Sequence, residues 1–392
     1  MDELKEWATP RQSEIIDAVI KCGTQSAAAE MLGISKRTLE RGLQRVRNKA
    51  ARQGYSPQHN MVHTAPDTHV VKGVSTFYDE SGNPIRQWVK TDLKKDMAVE
   101  AIHALVDGLK GELRGVHTSR PAPECANDDL MACYMLGDHH LGMIAIPERT
   151  GGQPYDLDIA EALVVQATTK LARRNKDARH ALLVNLGDFF HANDQTGQTP
   201  ASKHNLDVDR TFADAIRTAA RIYRSLVQIL LETHETVTII NARGNHDTDS
   251  ALWLNEMLRE LYADDPRVTI TNNATKFVHH RFGKNLIVTH HGNRIKPEKL
   301  CEHACKNLAK DWGECEHRFG WMGHIHHQTQ KELGHGMLVE SWSVLCAPDS
   351  YAADHGYSQN RSMSCVVLHR EYGEDCRYKV GIKELDTDIR VC

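Results

Sequence analysis

At 392 residues, with 40% apolar and 26% charged side chains, the chain is long enough for one large domain and a small one and has a globular composition. A formal net charge of −4 excludes a bulk polycation, so any nucleic-acid contact must come from a local basic patch. No apolar run approaches the roughly 20 residues of a membrane span. The opening Met1-Asp2-Glu3 is acidic and not a secretory signal, and ten cysteines without regular spacing read as reduced thiols; together these point to a cytoplasmic protein without membrane contact.

Residues 1–54 read as an all-α unit. Thr9 can cap a first helix, with Pro10 at its first position, Gln12 closing a capping box, and Ile15, Ile16, Val19 and Ile20 along one face. A second helix runs from about Gln25 to Leu32, Gly33 and Ile34 make the turn, and Ser35 caps a third helix in which Leu39, Leu43 and Val46 recur at helical spacing. Gln25, Ala29, Gly33, Ile34, Ser35 and Leu39 resemble a helix-turn-helix: a small residue where the helices approach and a glycine at the tight turn. The third helix would be the reader. Lys36, Arg37, Arg41, Arg45 and Arg47 make its exposed face basic enough to neutralise DNA phosphates; such modules often work as pairs, so a homodimer and a monomer both stay open. The plainer alternative is a small helical docking module with a solvated basic face.

Residues 55–127 read as a linker or cap. Val70–Thr76 and Gln87–Thr91 look like two strands around the turn cluster Glu80-Ser81-Gly82-Asn83-Pro84; Met97–Leu113 reads as an amphipathic helix and Ser119–Pro123 as a boundary loop.

From residue 128 to 392, apolar strands alternate with polar loops and helices, and five strands end in metal-ligand residues. Met131–Leu136 leads into Gly137-Asp138-His139-His140, and Ala181–Leu186 into Gly187-Asp188-Phe189-Phe190-His191. Val237–Asn241 precedes Gly244-Asn245-His246-Asp247, Leu286–Thr289 precedes His290-His291-Gly292, and Trp321-Met322 precedes Gly323-His324-Ile325-His326. Open α/β sheets place ligands at the carboxyl ends of their strands, and the glycines allow sharp turns there. Carboxylate, imidazole and amide oxygen together suit divalent ions such as Mn, Fe, Zn or Ni.

These five blocks resemble the calcineurin-like metallophosphoesterase superfamily over roughly residues 130–345. The resemblance implies a fold of two mixed sheets flanked by helices, and two divalent cations, Mn foremost. It implies that Asp138, His140 and His326 hold the first metal, that Asp188 bridges, and that Asn245, His291 and His324 hold the second. His290 competes with His291 for the fourth block; His291 is preferred because it directly precedes a glycine. The resemblance also implies that His246 protonates the leaving group or stabilises the phosphorane, oriented by a hydrogen bond to Asp247. The run around Asp188–His191 resembles the corresponding segment of double-strand-break repair nucleases, where the histidine positions the nucleic-acid backbone; a histidine that merely supports a ligand is the alternative for His191.

The expected function is a two-metal phosphodiesterase acting on DNA, with a small-nucleotide phosphodiesterase and a DNA-binding regulator with a vestigial site as alternatives. The overall arrangement, including the stretches 72–75 and 87–90, also resembles uncharacterised phosphoesterases of tailed phages, which implies no specific substrate but would place the protein in a bacterial host's cytoplasm. Cys301, His303, Cys305, Cys315 and His317 lack zinc-knuckle spacing and read as surface helix residues and free thiols; His279 and His280 read as exposed strand.

Overall fold

The computed structural model describes residues 2–52, 55–57, 69–79, 84–93, 127–356 and 360–385. The chain forms two compact units, Met1–Asp107 and Gly108–Cys392.

In the first unit, a short 3₁₀ turn precedes α1 (Pro10–Cys22), α2 (Gln25–Met31) and α3 (Lys36–Arg52). The Gln12 side chain accepts from the Thr9 N–H at 2.9 Å, and Ser35 Oγ accepts from the Thr38 N–H at 3.1 Å, so both expected caps form. Gly33 turns the chain at φ 62°. Leu39, Leu43 and Val46 of α3 meet Ile15, Ile16 and Val19 of α1 and Ala28 and Ala29 of α2 in one core. Ile20 does not share that face and is exposed, whereas Ala18 is buried. The buried arc of α1 is centred between Ile15 and Val19, and at 100° per residue Ile20 falls beyond its edge. On α3, Lys36, Arg37, Arg41 and Arg45 are exposed, and Arg47 is half-buried.

A hairpin of β1 (His69–Tyr78) and β2 (Pro84–Leu93) follows, antiparallel, with Ser75 opposite Trp88 and Phe77 opposite Arg86. The helix expected over Met97–Leu113, the loop Ser119–Pro123 and most of the hairpin's turn cluster lie outside the described residues.

The second unit is built on two sheets. In the six-stranded sheet, β3 (Asn127–Leu136), β4 (Ala178–Asn185), β5 (Thr236–Asn241) and β6 (Val268–Ile270) run parallel. In the five-stranded sheet, β7 (Val278–Phe282) and β8 (Asn285–His290) form a hairpin, and β8 is parallel to β9 (His317–Met322). β10 (Thr329–Leu333) and β11 (Met337–Ser341) complete that sheet, whose order is β10-β11-β9-β8-β7. The last hairpin, β12 (Ser362–His369) with β13 (Gly373–Gly381), pairs antiparallel with β3 and extends the first sheet.

Alternate residues explain the sandwich, because successive strand side chains point to opposite faces. Met131, Cys133 and Met135 of β3 and Leu182 and Val184 of β4 face Ile287, Phe319 and Trp321 across one core. The other faces are covered too, which is why these strands read as unbroken apolar runs. Helices α4 (Leu157–Arg174) and α5 (Phe212–Leu231) contact each other and the six-stranded sheet. On the other side Leu300, Cys301 and Ala304 of α6 (Pro297–Asn307) pack on Leu286, Val288 and Val339.

That packing corrects one expectation. Cys301 and Cys315 are buried core thiols, not surface residues; a thiol behaves as a small apolar group beneath a helix. His303 stacks on Phe277, and His317 Nε2 lies 3.0 Å from the Glu371 carbonyl, so these side chains do not converge on one point. His279 is exposed on β7, as expected, while His280 is half-buried. Among the described residues, no helix is long and apolar enough to cross a membrane.

Candidate metal centre

The parallel strands β3, β4 and β5 of one sheet and β8 and β9 of the other end at the same place. Backbone hydrogen bonds tie their exits together: Ala242 N–H to the Asn185 carbonyl at 2.8 Å, His140 N–H to Asp188 at 3.0 Å, and Gly323 N–H to His291 at 3.0 Å. His291 Nδ1 reaches the Leu186 carbonyl at 2.9 Å and so joins the two sheets.

His140, His191 and His246 bring ring nitrogens together there, and two further groups of ligand-type side chains contain a carboxylate. Asp138, His140 and His326 make one, and Asp188, His291 and His324 the other, with the donor atoms in each group within 4.8 Å of one another. Asn245 Oδ1 lies 3.1 Å from His291 Nε2 and joins the second. All seven expected ligands are therefore brought together. His290 turns the opposite way: its Nδ1 accepts from the Gly292 N–H at 2.9 Å and its ring lies on Phe277. Adjacent strand residues face opposite sides, so only one of the pair can reach the site, and it is His291.

The local backbone is unusual. Among the described residues five non-glycines have positive φ, and four of them are His140, Asp188, His324 and His326. Such a conformation costs about 1 kcal/mol or more per residue and persists only where the surroundings impose it. Gly187 and Gly292 make the expected turns at φ 94° and 106°, whereas Gly244 and Gly323 play a different part. A side chain on Gly244 would overlap the Asp188 carboxylate, and one on Gly323 the Asp138 carboxylate, so these two permit close approach.

Both carboxylates are buried, Asp138 at 0% and Asp188 at 1% exposure. The Asp138 oxygens accept the His324 N–H at 3.0 and 2.9 Å, and Asp188 Oδ1 accepts the His246 N–H at 2.8 Å. Burial opposes ionisation of Asp188, but His291, His246 and His140 outweigh it and hold the carboxyl well below its usual range. Burial likewise works against charge on His291, yet Asp188 and Asp138 push that imidazole up to about 10. Burial, then His246, His326 and His191, holds His140 well below its usual value.

A divalent cation fits this donor set. His140 and His326 bring their Nε2 atoms within 3.2 Å of each other beside Asp138, and His291 Nε2 is 3.0 Å from Asp188 Oδ2. Lone-pair-bearing atoms converging around two buried carboxylates call for positive charge, and the proton taken up by His291 answers the same need. Asp138, His140 and His326 would hold one ion, and Asp188, Asn245, His291 and His324 the other.

The remaining site residues support this pair. His246 Nδ1 lies 2.8 Å from the His191 carbonyl and donates to it, leaving Nε2 for other work; the ring centroid is 4.9 Å from that of His140. His191 is buried, with Nδ1 3.2 Å from His140 Nδ1 and, among the described residues, no partner for Nε2. Burial, then His246, lowers its imidazole to about 3. His191 thus braces His140 and His246 from beneath, and no exposed face of it reaches outward toward a nucleic-acid backbone.

Asp247 does not accept from His246, contrary to expectation. Its carboxylate faces inward and takes the N–H groups of Gly244 at 2.8 Å, Phe189 at 2.8 Å and Asp188 at 3.3 Å, which pins the β4 exit to the β5 exit. Burial, then the Asp188 charge, pushes this carboxyl up to about 7.

Sequence reasoning missed a buried polar network under the site. Asn185 Oδ1 accepts from the Gly187 N–H at 3.1 Å, Tyr223 donates to Asn241 at 2.6 Å, and Asn241 donates to Asn255 at 3.0 Å. Two asparagines closing otherwise apolar strands were the available signal.

Comparison with known proteins gives little by sequence: no family model and no curated protein matches the chain. Among solved structures, it is similar to a conserved uncharacterized protein from Streptococcus pneumoniae, described as a predicted phosphoesterase, at 12% identity and TM-score 0.26 over 64% of this chain and 98% of that one. A dimetal phosphatase from Danio rerio gives 10% identity and TM-score 0.34 over 65% and 99%. A 5'-nucleotidase precursor from Thermus thermophilus gives 11% identity and TM-score 0.32 over 64% and 54%. Scores of this size describe partial overlap, and the chemistry below stands on the site's own residues.

Proposed function

We propose that this protein is a two-metal phosphodiesterase of the calcineurin-like metallophosphoesterase type, and that its substrate is nucleic acid. One observation carries the reading: seven ligand side chains from five strand exits converge in two groups, each around one buried carboxylate. Two divalent cations held there would supply Lewis acidity toward a phosphoryl group and make water acidic enough to attack it near neutral pH.

The chain's own residues do the rest. His246 stands beside both groups with its ring fixed through Nδ1, so Nε2–H of the imidazolium can be given to the departing ester oxygen. Asp247 and the Asn185–Asn241 network hold the two loops that carry Asp188 and Asn245 in one arrangement. His191 keeps the ring of His140 turned toward Asp138 and His326.

Nucleic acid is favoured over a small nucleotide by the exposed cations of α3, Lys36, Arg37, Arg41 and Arg45, which we propose contact DNA phosphates in a helix-turn-helix manner. A vestigial site is disfavoured because every ligand is present and converged. The test compares Mn-loaded protein on single-stranded DNA, duplex DNA, a cyclic dinucleotide and bis-p-nitrophenyl phosphate. DNA cleavage that needs Mn is expected. Turnover confined to the cyclic dinucleotide and the chromogenic diester would replace the substrate assignment.

A further inference from the structure

The hairpin β1–β2 carries an unusual concentration of exposed apolar surface. Of the twelve exposed large apolar side chains among the described residues, Phe77, Tyr78, Ile85, Trp88 and Val89 fall on it. Register sorts them by face, because directly opposed residues point the same way. Ser75 opposes Trp88, Phe77 opposes Arg86 and Gly73 opposes Lys90, so Phe77, Trp88, Arg86 and Lys90 share one face. Thr76 opposes Gln87 on the other face, where Gln87 Nε2 donates to Thr76 Oγ1 at 2.9 Å. Both faces are open, but they differ in chemistry: on the first Phe77 is 59% and Trp88 57% exposed, with Arg86 and Lys90 exposed as well, while the other presents the aliphatic Ile85 and Val89. Phe77 and Trp88 sit diagonally across the two strands.

Two open aromatic rings interleaved with two cations form a surface of particular chemistry. An apolar partner would not suit Arg86 and Lys90, and an acidic peptide would leave both rings wet. Unpaired nucleobases on a phosphate backbone use both: each base offers a ring face and each linkage an anion. In a duplex the base faces are already stacked on one another, so a duplex could use only the cations.

We propose that this hairpin face binds single-stranded nucleic acid, with bases stacked on Phe77 and Trp88 and phosphates on Arg86 and Lys90. The proposal deepens the nucleic-acid reading above by naming the strand form that is recognised, and it rests on that reading only for its purpose, not for the binding itself.

The experiment measures binding of a labelled thymidine oligonucleotide, and of a duplex of equal length, to full-length Asp188→Asn protein in Mn buffer. Added to that background, Phe77→Ala with Trp88→Ala should weaken single-strand binding by at least the roughly 5- to 150-fold that loss of one base–aromatic stack produces, with duplex binding unchanged. Phe77→Tyr with Trp88→Phe keeps the rings and should keep the affinity, while Trp88→Phe alone should remove oligonucleotide-induced tryptophan quenching. Arg86→Gln with Lys90→Gln should flatten the salt dependence of single-strand binding by about 1.4 in log–log slope, roughly 0.7 for each phosphate contact. Undiminished single-strand affinity in the alanine variant overturns the proposal. So does an equal loss for duplex, or a change confined to oligomeric state. Should the alanine variant not fold, an unchanged salt slope in the glutamine variant overturns it. Single-strand binding through this face without any Mn-dependent cleavage by the wild-type chain would leave the hairpin assignment standing and remove the nuclease reading. Cleavage with undiminished binding in the hairpin variants would do the reverse.

Discussion

The strand exits of the second unit and the hairpin of the first both gather polar and aromatic side chains, but in opposite physical settings. At the strand exits Asp138, Asp188, His140 and His291 are buried, and the backbones of His140, Asp188, His324 and His326 are held in left-handed conformations. On the hairpin the side chains stand in water on a regular ladder. Buried charge is tolerated only where it is compensated, so the first arrangement implies ions held in place and a chemistry that needs fixed geometry. Exposed rings and cations carry no such requirement and suit a ligand that comes and goes along its length. The difference predicts that substitutions at the strand exits change turnover of every substrate, while those on the hairpin change only what is bound.

The largest effect is expected from Asp188→Asn. It removes a buried charge that answers His291, and hydrolysis of every phosphodiester should fall to background while circular dichroism shows the fold retained. A variant that turns over normally would break the site side of the comparison. Next is His246→Ala, which should lower turnover of DNA by roughly 10²- to 10⁴-fold, the usual share of a general acid. Its Mn content, measured by atomic absorption, should be unchanged. The loss should be smaller on bis-p-nitrophenyl phosphate, whose leaving group needs no proton; an equal loss on both would mean that His246 does not act as the acid.

Asp247→Ala should cost less, about 10- to 100-fold in Mn affinity. It leaves the Gly244, Phe189 and Asp188 N–H groups without their acceptor, which should also lower the melting temperature. A variant with lowered turnover but unchanged Mn affinity and melting temperature would return Asp247 to a direct catalytic part. The smallest effect on catalysis belongs to Trp88→Ala, for which turnover of the small chromogenic diester should match the wild type. A matching loss there would show that the two regions are not functionally separate.

Much of the centre was legible because its ligands follow apolar strands closely. Asp138, Asp188, Asn245, His291 and His324 each stand within a few residues of a strand's end, and the glycine after His291 favoured it over His290. The supporting contacts were not legible. Whether Asp247 faces His246 or the Gly244 and Phe189 amides depends on how two loops distant in sequence fold over each other. The Tyr223–Asn241 bond joins a helix to a strand that no periodicity links. Cys301 and Cys315 looked superficial because a thiol in a polar helix resembles any small polar residue until the sheet beneath it is known. The hairpin strands were legible, but the exposure of both their faces was not, since alternation alone does not say which sides are covered.

Two cations are expected to act together at the converged strand exits. Metal-free protein would be titrated with Mn while bound metal and hydrolysis of bis-p-nitrophenyl phosphate are followed in the same sample. Two equivalents should bind, with activity rising as the second enters, and Asp188→Asn should show neither full occupancy nor turnover. Full activity at one equivalent, or none at saturation with two, would contradict this joint action.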